Sequence, residues 1–314
     1  MVEHESASQQ SLNPLAPVSE ALLAATIARL AREASVEINV QDVKHLEASR
    51  ALLTPGNKIY VSYLPGQTWQ QTEAACVAVR AAGFEPVPHV PARLLPDALA
   101  LHRLLASLIE SARVNEILLI AGDYDVAAGP YSSVAEVLRG AALETTGLTR
   151  VSLAGHPEGH PKVALAEIRS AEREKARLAA RAGLEASLLT QFFFEPQPFL
   201  DWVRELRANG VGTRVVAGLA GPARLTTLFK FAMRCGAGPS IRALGAHPGS
   251  LMKLLGDHGP EAVLWALAQA RAGNQSDFSG IHLFCFGGYL RTCEWLHAVA
   301  NGRFELKDGG FTQA

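Results

Sequence analysis

The stretch Leu188-Leu189-Thr190-Gln191-Phe192-Phe193-Phe194-Glu195-Pro196 decides how this chain is read. Ser187 to Phe194 is a short run of apolar, aromatic and β-branched residues interrupted by one amide. Its length and character predict a buried strand covered on both faces. Pro196 stops the strand and opens a helix. Gln191 is the exception in the run. A buried amide without partners costs roughly 2–7 kcal/mol by transfer estimates. It is either a satisfied core glutamine or a side chain facing whatever the strand ends hold.

The same kind of unit recurs before and after it. Strands are predicted at Val36–Val40, Lys58–Leu64, Glu85–Val90, Glu116–Gly122 and Thr149–Gly155, then at Thr213–Ala220 and Gly280–Gly287. Helices are predicted between them: Asp42 (as cap) to about Leu53, Thr68–Ala82, Ala92–Ala112, Ser133–Glu144, Glu167–Ala182, Pro196–Ala208 and Pro222–Cys235. An extra helical stretch, Gly249–Ala272, breaks at Gly259-Pro260, and Tyr289–Ala300 is the last helix. Another helix, Val18–Ala34, precedes the first strand. Eight strands alternating with helices suit parallel strands with crossovers. The fold class is α/β, a (β/α)8 TIM barrel with an N-terminal extra helix. A doubly wound sheet is the competitor, but no G-x-G-x-x-G follows strand one.

The 314 residues are 48% hydrophobic and 19% charged, enough for one large core. Residues 18–314 are expected to form a single catalytic barrel domain, with polar residues 1–17 as a flexible tail. That tail lacks the basic-then-apolar order of a signal peptide, and no run reaches a membrane span. A cytoplasmic protein is the simplest reading. A formal net charge of -1 gives no steering to nucleic acid or an anionic membrane. The four cysteines, Cys76, Cys235, Cys285 and Cys293, form no C-x-x-C pair, so neither a zinc site nor a disulfide framework is expected. Helices of this apolar content suit self-association into a homo-oligomer.

In a barrel of this kind, function gathers at the C-terminal strand ends. The polar residues there are Glu37, Ser62, Tyr63, His89, Asp123, His156, His160 and Gln191. A buried Glu37 is a salt-bridge partner or a working acid. Asp123 after an apolar strand could merely cap a turn. His156 and His160 are four apart, but Pro157 and Pro161 argue against the helix that would make them metal ligands, so no metal is expected. Paired carboxylates also fit a glycosidase, yet the aromatic lining of a sugar platform is sparse.

At T-Q-F-F-F-E the chain resembles the methylenetetrahydrofolate reductase family, from about Val36 to about Gly287. Supporting motifs are V-E-I in strand one, Pro88-His89, A-G-D at Ala121 to Asp123, H-P-E-G-H-P at His156 to Pro161, and A-G-L in strand seven. The resemblance implies a barrel with its site at the strand C-termini. It implies a folate substrate, and a hydride passed from NAD(P)H through FAD to methylene-tetrahydrofolate, giving methyl-tetrahydrofolate in one-carbon metabolism. Glu37 then matches the general acid, Asp123 the aspartate between flavin and pterin, and Gln191 the amide contacting pterin and nicotinamide. On the substrate side stand Asp123, Gln191, Phe193 and Leu225. On the cofactor side stand Ser62, His89, Gly122, Asp123, His156 and His160.

The departures concentrate on the flavin phosphates. The family lysine in the helix before strand six falls at Ala179 or Ala180, with Lys175 or Arg177 about one helical turn away. Leu225 replaces the aromatic that stacks on folate, and Ala121 replaces an arginine. A missing cation removes strong charge-assisted contacts. The sequence therefore predicts FAD held weakly or not at all, with direct hydride transfer as the alternative. A non-catalytic folate-binding barrel and a pterin-dependent methyl transferase are the competing functions.

Overall fold

The computed structural model describes residues 18–140, 143, 146–160, 163–235, 257–307 and 309–313. The predicted tail at 1–17 and the stretch 249–256 of the predicted extra helix lie outside them. Eight parallel strands close a barrel: β1 (Ser35–Ile38), β2 (Lys58–Val61), β3 (Glu85–Pro91), β4 (Glu116–Ile120), β5 (Arg150–Gly155), β6 (Glu185–Phe192), β7 (Arg214–Ala220) and β10 (Gly280–Phe284). Their order is β1-β10-β7-β6-β5-β4-β3-β2, with β1 paired to both β2 and β10.

Helices cover the outside: α1 (Glu20–Arg32), α2 (Leu46–Ser49), α3 (Trp69–Ala81), α4 (Ala98–Ala112), α5 (Val134–Arg139), α6 (Leu165–Arg181), α7 (Pro196–Ala208), α8 (Leu225–Cys235), α9 (Glu261–Ala272) and α10 (Tyr289–Ala300). None of the described helices is long and apolar enough to cross a membrane. The extra helix α1 buries Leu23, Ile27 and Leu30, one stripe at helical spacing. Burial of each contributes about 1.5–3 kcal/mol. Thr68 starts α3 with a capping box to Gln71, and such caps contribute about 1 kcal/mol.

Several boundaries differ from the sequence reading for local reasons. The helix expected over Ala92–Ala112 is interrupted: a single 3-10 turn, Ala92–Leu94, precedes Pro96, and Asp97 then caps α4 by accepting from Ala100 N at 2.7 Å. Asp42 caps no helix; its carboxylate instead accepts from the Asn39 backbone and amide at 3.0 and 2.7 Å. Pro222 does not start a helix. Ala223–Arg224 (β8) pairs antiparallel with Asp257–His258 (β9) before α8 begins at Leu225. A C-terminal hairpin that the sequence did not signal, β11 (Phe304–Lys307) with β12 (Gly310–Gln313), packs Phe311 against Trp295 and Phe304.

Side chains alternate in and out of the barrel, as strand geometry requires. At its N-terminal end lies a charged layer. Buried Glu116 sits 2.6 Å from Lys58 Nζ and accepts from Ser152 Oγ at 2.8 Å. The Tyr60 and Ser187 hydroxyls each lie within hydrogen-bond reach of Ser152, at 2.9 and 2.8 Å. Above that plug, Val87, Leu118 and Leu189 pack around the Tyr60 ring.

One irregularity shapes the upper rim. Leu189 pairs with Val216, but Phe192 pairs with Gly218, so β6 carries a bulge at Thr190-Gln191. Gly218 makes this possible. A Cβ there would stand 2.3 Å from the Thr190 carbonyl oxygen and 2.8 Å from the Phe284 ring. Thr190 Oγ1 accepts from Gly218 N at 2.8 Å and fixes the approach.

Candidate active site

Glu37 stands near the top of β1, beside Tyr60 in register, on the inward face. The Ser62 hydroxyl, one residue past β2, hydrogen-bonds its carboxylate. Nε2 of His89 on β3 lies 3.4 Å from Glu37 Oε2, and Nε2 of His282 on β10 lies 4.0 Å from the same atom. Behind them the Cys285 thiol bonds the Glu37 backbone, and burial pushes that thiol up. Burial also raises the Glu37 carboxyl from 4.5 to about 7. It lowers His89 to about 4, and burial with repulsion from His89 lowers His282 to about 3. At neutral pH this is an acid, partly protonated, between two neutral imidazoles.

His282 escaped the sequence reading. Its signal was the inward alternation Gly280, His282, Phe284 along a strand otherwise read as apolar. That alternation continues into an aromatic wall. Phe284 meets His282 edge to face at 4.8 Å and lies parallel to Phe286 at 5.7 Å. Phe192, turned inward by the bulge, closes on Phe284 and Phe286 at 5.9 and 4.8 Å. Leu225 is buried beside Phe192 in this cluster. Phe193 was expected on the substrate side but lies on the outer face. It stacks on Phe199 at 5.0 Å and is 2% exposed, because the bulge gives the inward position to Phe192.

Gln191 sits half-buried at the bulge, and its amide makes no hydrogen bond among the described residues. Asp123 is exposed in the loop after β4, directly after Gly122 with φ +90°. Arg93 ties that loop down by donating to the Tyr124 and Ser132 carbonyls at 2.8 and 2.9 Å. Among the described residues, no hydrogen bond or ion pair joins Asp123 or Gln191 to Glu37, Ser62, His89 or His282.

A second polar cluster stands at the end of β5. His156 N donates to Glu172 Oε1 at 2.8 Å, and Arg169 donates to the His156 and Pro157 carbonyls, both at 2.9 Å. Trp202 Nε1 donates to Glu172 Oε2 at 2.9 Å. Glu172 is 1% exposed, so the loop is clamped from behind by α6 and α7. His156 faces His160 edge to face at 6.0 Å. Burial, then Lys175, His160 and Arg169, lowers His156 to about 3, so it carries no positive charge at neutral pH. Lys175 is 9% exposed and donates to the Ala154 carbonyl at 2.8 Å.

Comparison with known proteins gives two findings. Residues 67–237, more than half of the chain, match the family model "Methylenetetrahydrofolate reductase". Among solved structures, the chain is similar to a conserved protein of unknown function from Enterococcus faecalis. The TM-score is 0.43 at 10% identity, over 85% of this chain and 65% of that one. The chain thus spans slightly less than two thirds of that protein's length.

Proposed function

This chain belongs to the methylenetetrahydrofolate reductase family, and we propose that it transfers a hydride from NAD(P)H to methylene-tetrahydrofolate, giving methyl-tetrahydrofolate. The carrying observation is the Glu37 carboxyl, raised by burial to about 7 at the barrel mouth. A carboxyl with that pKa is a useful proton donor at neutral pH. Glu37 protonates the folate so that the methylene bridge opens to an iminium, the hydride acceptor. Ser62 supports the carboxylate that remains. The wall of Phe192, Phe284 and Phe286 offers apolar faces suited to a flat ring. The free amide of Gln191 and the carboxylate of Asp123 are the polar groups left to orient the substrate. Bound nicotinamide supplies the hydride.

Members of the family typically use FAD with NAD(P)H. The described residues fit the flavin diphosphate poorly. Ala179 is packed in the core and Ala180 faces solvent, where the family lysine would stand. Lys175 is turned onto the Ala154 carbonyl, and His156 is neutral. A diphosphate needs charge-assisted donors; Ala179, Ala180 and the neutral His156 supply none, Lys175 is already engaged, and Arg177 faces solvent. We therefore propose hydride transfer without a flavin step, directly from nicotinamide to the iminium.

Glu37→Gln tests the reading in purified protein supplied with NADH and methylene-tetrahydrofolate. Folate binding should persist, while turnover should fall about 100-fold or more, the usual worth of a general acid. A variant as active as the parent overturns the role of Glu37. A parent that binds folate without turnover points to a binding barrel instead.

A further inference from the structure

His282 is wholly buried, and its two ring nitrogens face different groups. Nδ1 lies 2.9 Å from Ser35 Oγ, its neighbour in register on β1. Nε2 makes no hydrogen bond among the described residues and lies 4.0 Å from Glu37 Oε2. A buried nitrogen without a partner is costly and calls for an explanation. Among the described residues, the carboxyl beside it is Glu37, a group that changes charge. Among the described residues, no hydrogen bond joins Ser35 to Glu37. Ser35 lies one inward position below, where it lines a cavity of about 420 Å³ at the N-terminal end of the barrel with Tyr60, Lys58 and Glu116.

We propose that Ser35 and His282 act as a positioning pair that stabilises Glu37 in its ionised form, after it has given up its proton. This rests on the reading of Glu37 as the acid. The Ser35 hydroxyl donates to Nδ1, which fixes the hydrogen on Nε2 and aims it at the carboxylate. The 4.0 Å separation is too long for a hydrogen bond. It closes when Glu37 becomes an anion and attracts the donor. No proton leaves His282; the imidazole stays neutral throughout. An acid whose conjugate base gains a donor gives up its proton more readily, so the pair raises proton transfer without touching the substrate.

The other titratable groups around the pair are Tyr60, packed against the His282 ring at 4.7 Å, His89 on β3, and Cys285 beyond β10. His89 approaches Glu37 from the opposite side, with its own Nε2 also unbonded. Of these two histidines, His282 alone has a hydroxyl beside its Nδ1 among the described residues.

The test follows the infrared band of the protonated Glu37 carboxyl, assigned by its loss in Glu37→Gln, through a pH titration of the whole chain. In Ser35→Ala and in His282→Leu the midpoint should move upward by half a pH unit or more, and Ser35→Thr should restore it. An unchanged or lowered midpoint in Ser35→Ala overturns the proposal, whether or not His282→Leu folds. In turnover, kcat should fall about tenfold with KM for the folate within twofold, and the limb of the pH profile should move with the infrared midpoint. A rise in KM with kcat unchanged overturns it. If the parent shows no reductase turnover, the functional reading fails, while the infrared titration still decides the pair.

Discussion

Oε2 of Glu37 and Nε2 of His89 stand 3.4 Å apart across two strands, and neither group carries its usual charge. Desolvation is the largest cause on both sides: it holds the acid partly protonated and the imidazole neutral. The pair thus meets as a partly protonated acid and a neutral imidazole, and its consequences can be read in stability as well as in turnover.

The Glu37 carboxyl titrates at about 7 in the folded chain and at 4.5 in the unfolded one. Folding therefore favours its protonated form. The contribution is fully present below the unfolded value and is lost as pH climbs from 4.5 to 7. The loss is on the order of 3 kcal/mol. Glu37→Gln removes it, so the stability of the variant relative to the parent should improve between pH 5 and pH 8. Urea denaturation at the two pH values measures this; a constant difference contradicts it.

Three histidines shift the opposite way. His89 lies at about 4, and His156 and His282 at about 3, against 6.5 unfolded. Their contribution is present above pH 6.5 and is lost as pH falls toward those values. The midpoint of thermal unfolding should drop steeply below pH 6. His156→Asn should flatten part of that slope, and an unchanged slope would show that His156 is not buried in its neutral form.

Removing Glu172 strands its partners. Glu172→Ala leaves Arg169 with one fewer carboxylate and deprives His156 N and Trp202 Nε1 of their acceptor. Breaking a buried pair in this way costs about 3–5 kcal/mol. Chemical denaturation of the variant should show a loss of that size. A loss under about 1 kcal/mol would mean that water replaces the carboxylate without difficulty.

Gly218→Ala drives a methyl group toward the Thr190 carbonyl, 2.3 Å away, in the strand pair that forms the bulge. Overpacking of this kind costs about 1–3 kcal/mol, and here the obstacle is backbone. The variant should be destabilised by at least that amount. It should also lose turnover, because Phe192 is held inward by the same pairing.

A flavin titration separates the two forms of hydride transfer. Purified protein should show no stoichiometric flavin band, and Lys175→Met should leave added FAD bound as weakly as in the parent. A tightly held flavin lost in Lys175→Met would mean that Lys175 leaves the Ala154 carbonyl to meet a diphosphate.

The barrel was legible because hydrophobic period and breaker residues are local. Eight apolar runs, each closed by a turn, leave few topologies, and Glu37, Ser62 and His89 fall at strand ends by counting alone. The sequence also placed the family lysine at Ala179 or Ala180, and the structure finds one in the core and the other in solvent. What it did not determine was side-chain direction after an irregularity. A bulge is a register relation between β6 and β7, set by the close approach of Gly218 to Thr190, and it exchanges Phe193 for Phe192. The meeting of Glu37 with His282 depends on closure, which brings residues from opposite ends of the chain into adjacent strands. Desolvation of that acid is a property of the closed barrel, because only the assembled walls remove the water that would otherwise keep Glu37 an ordinary carboxylate.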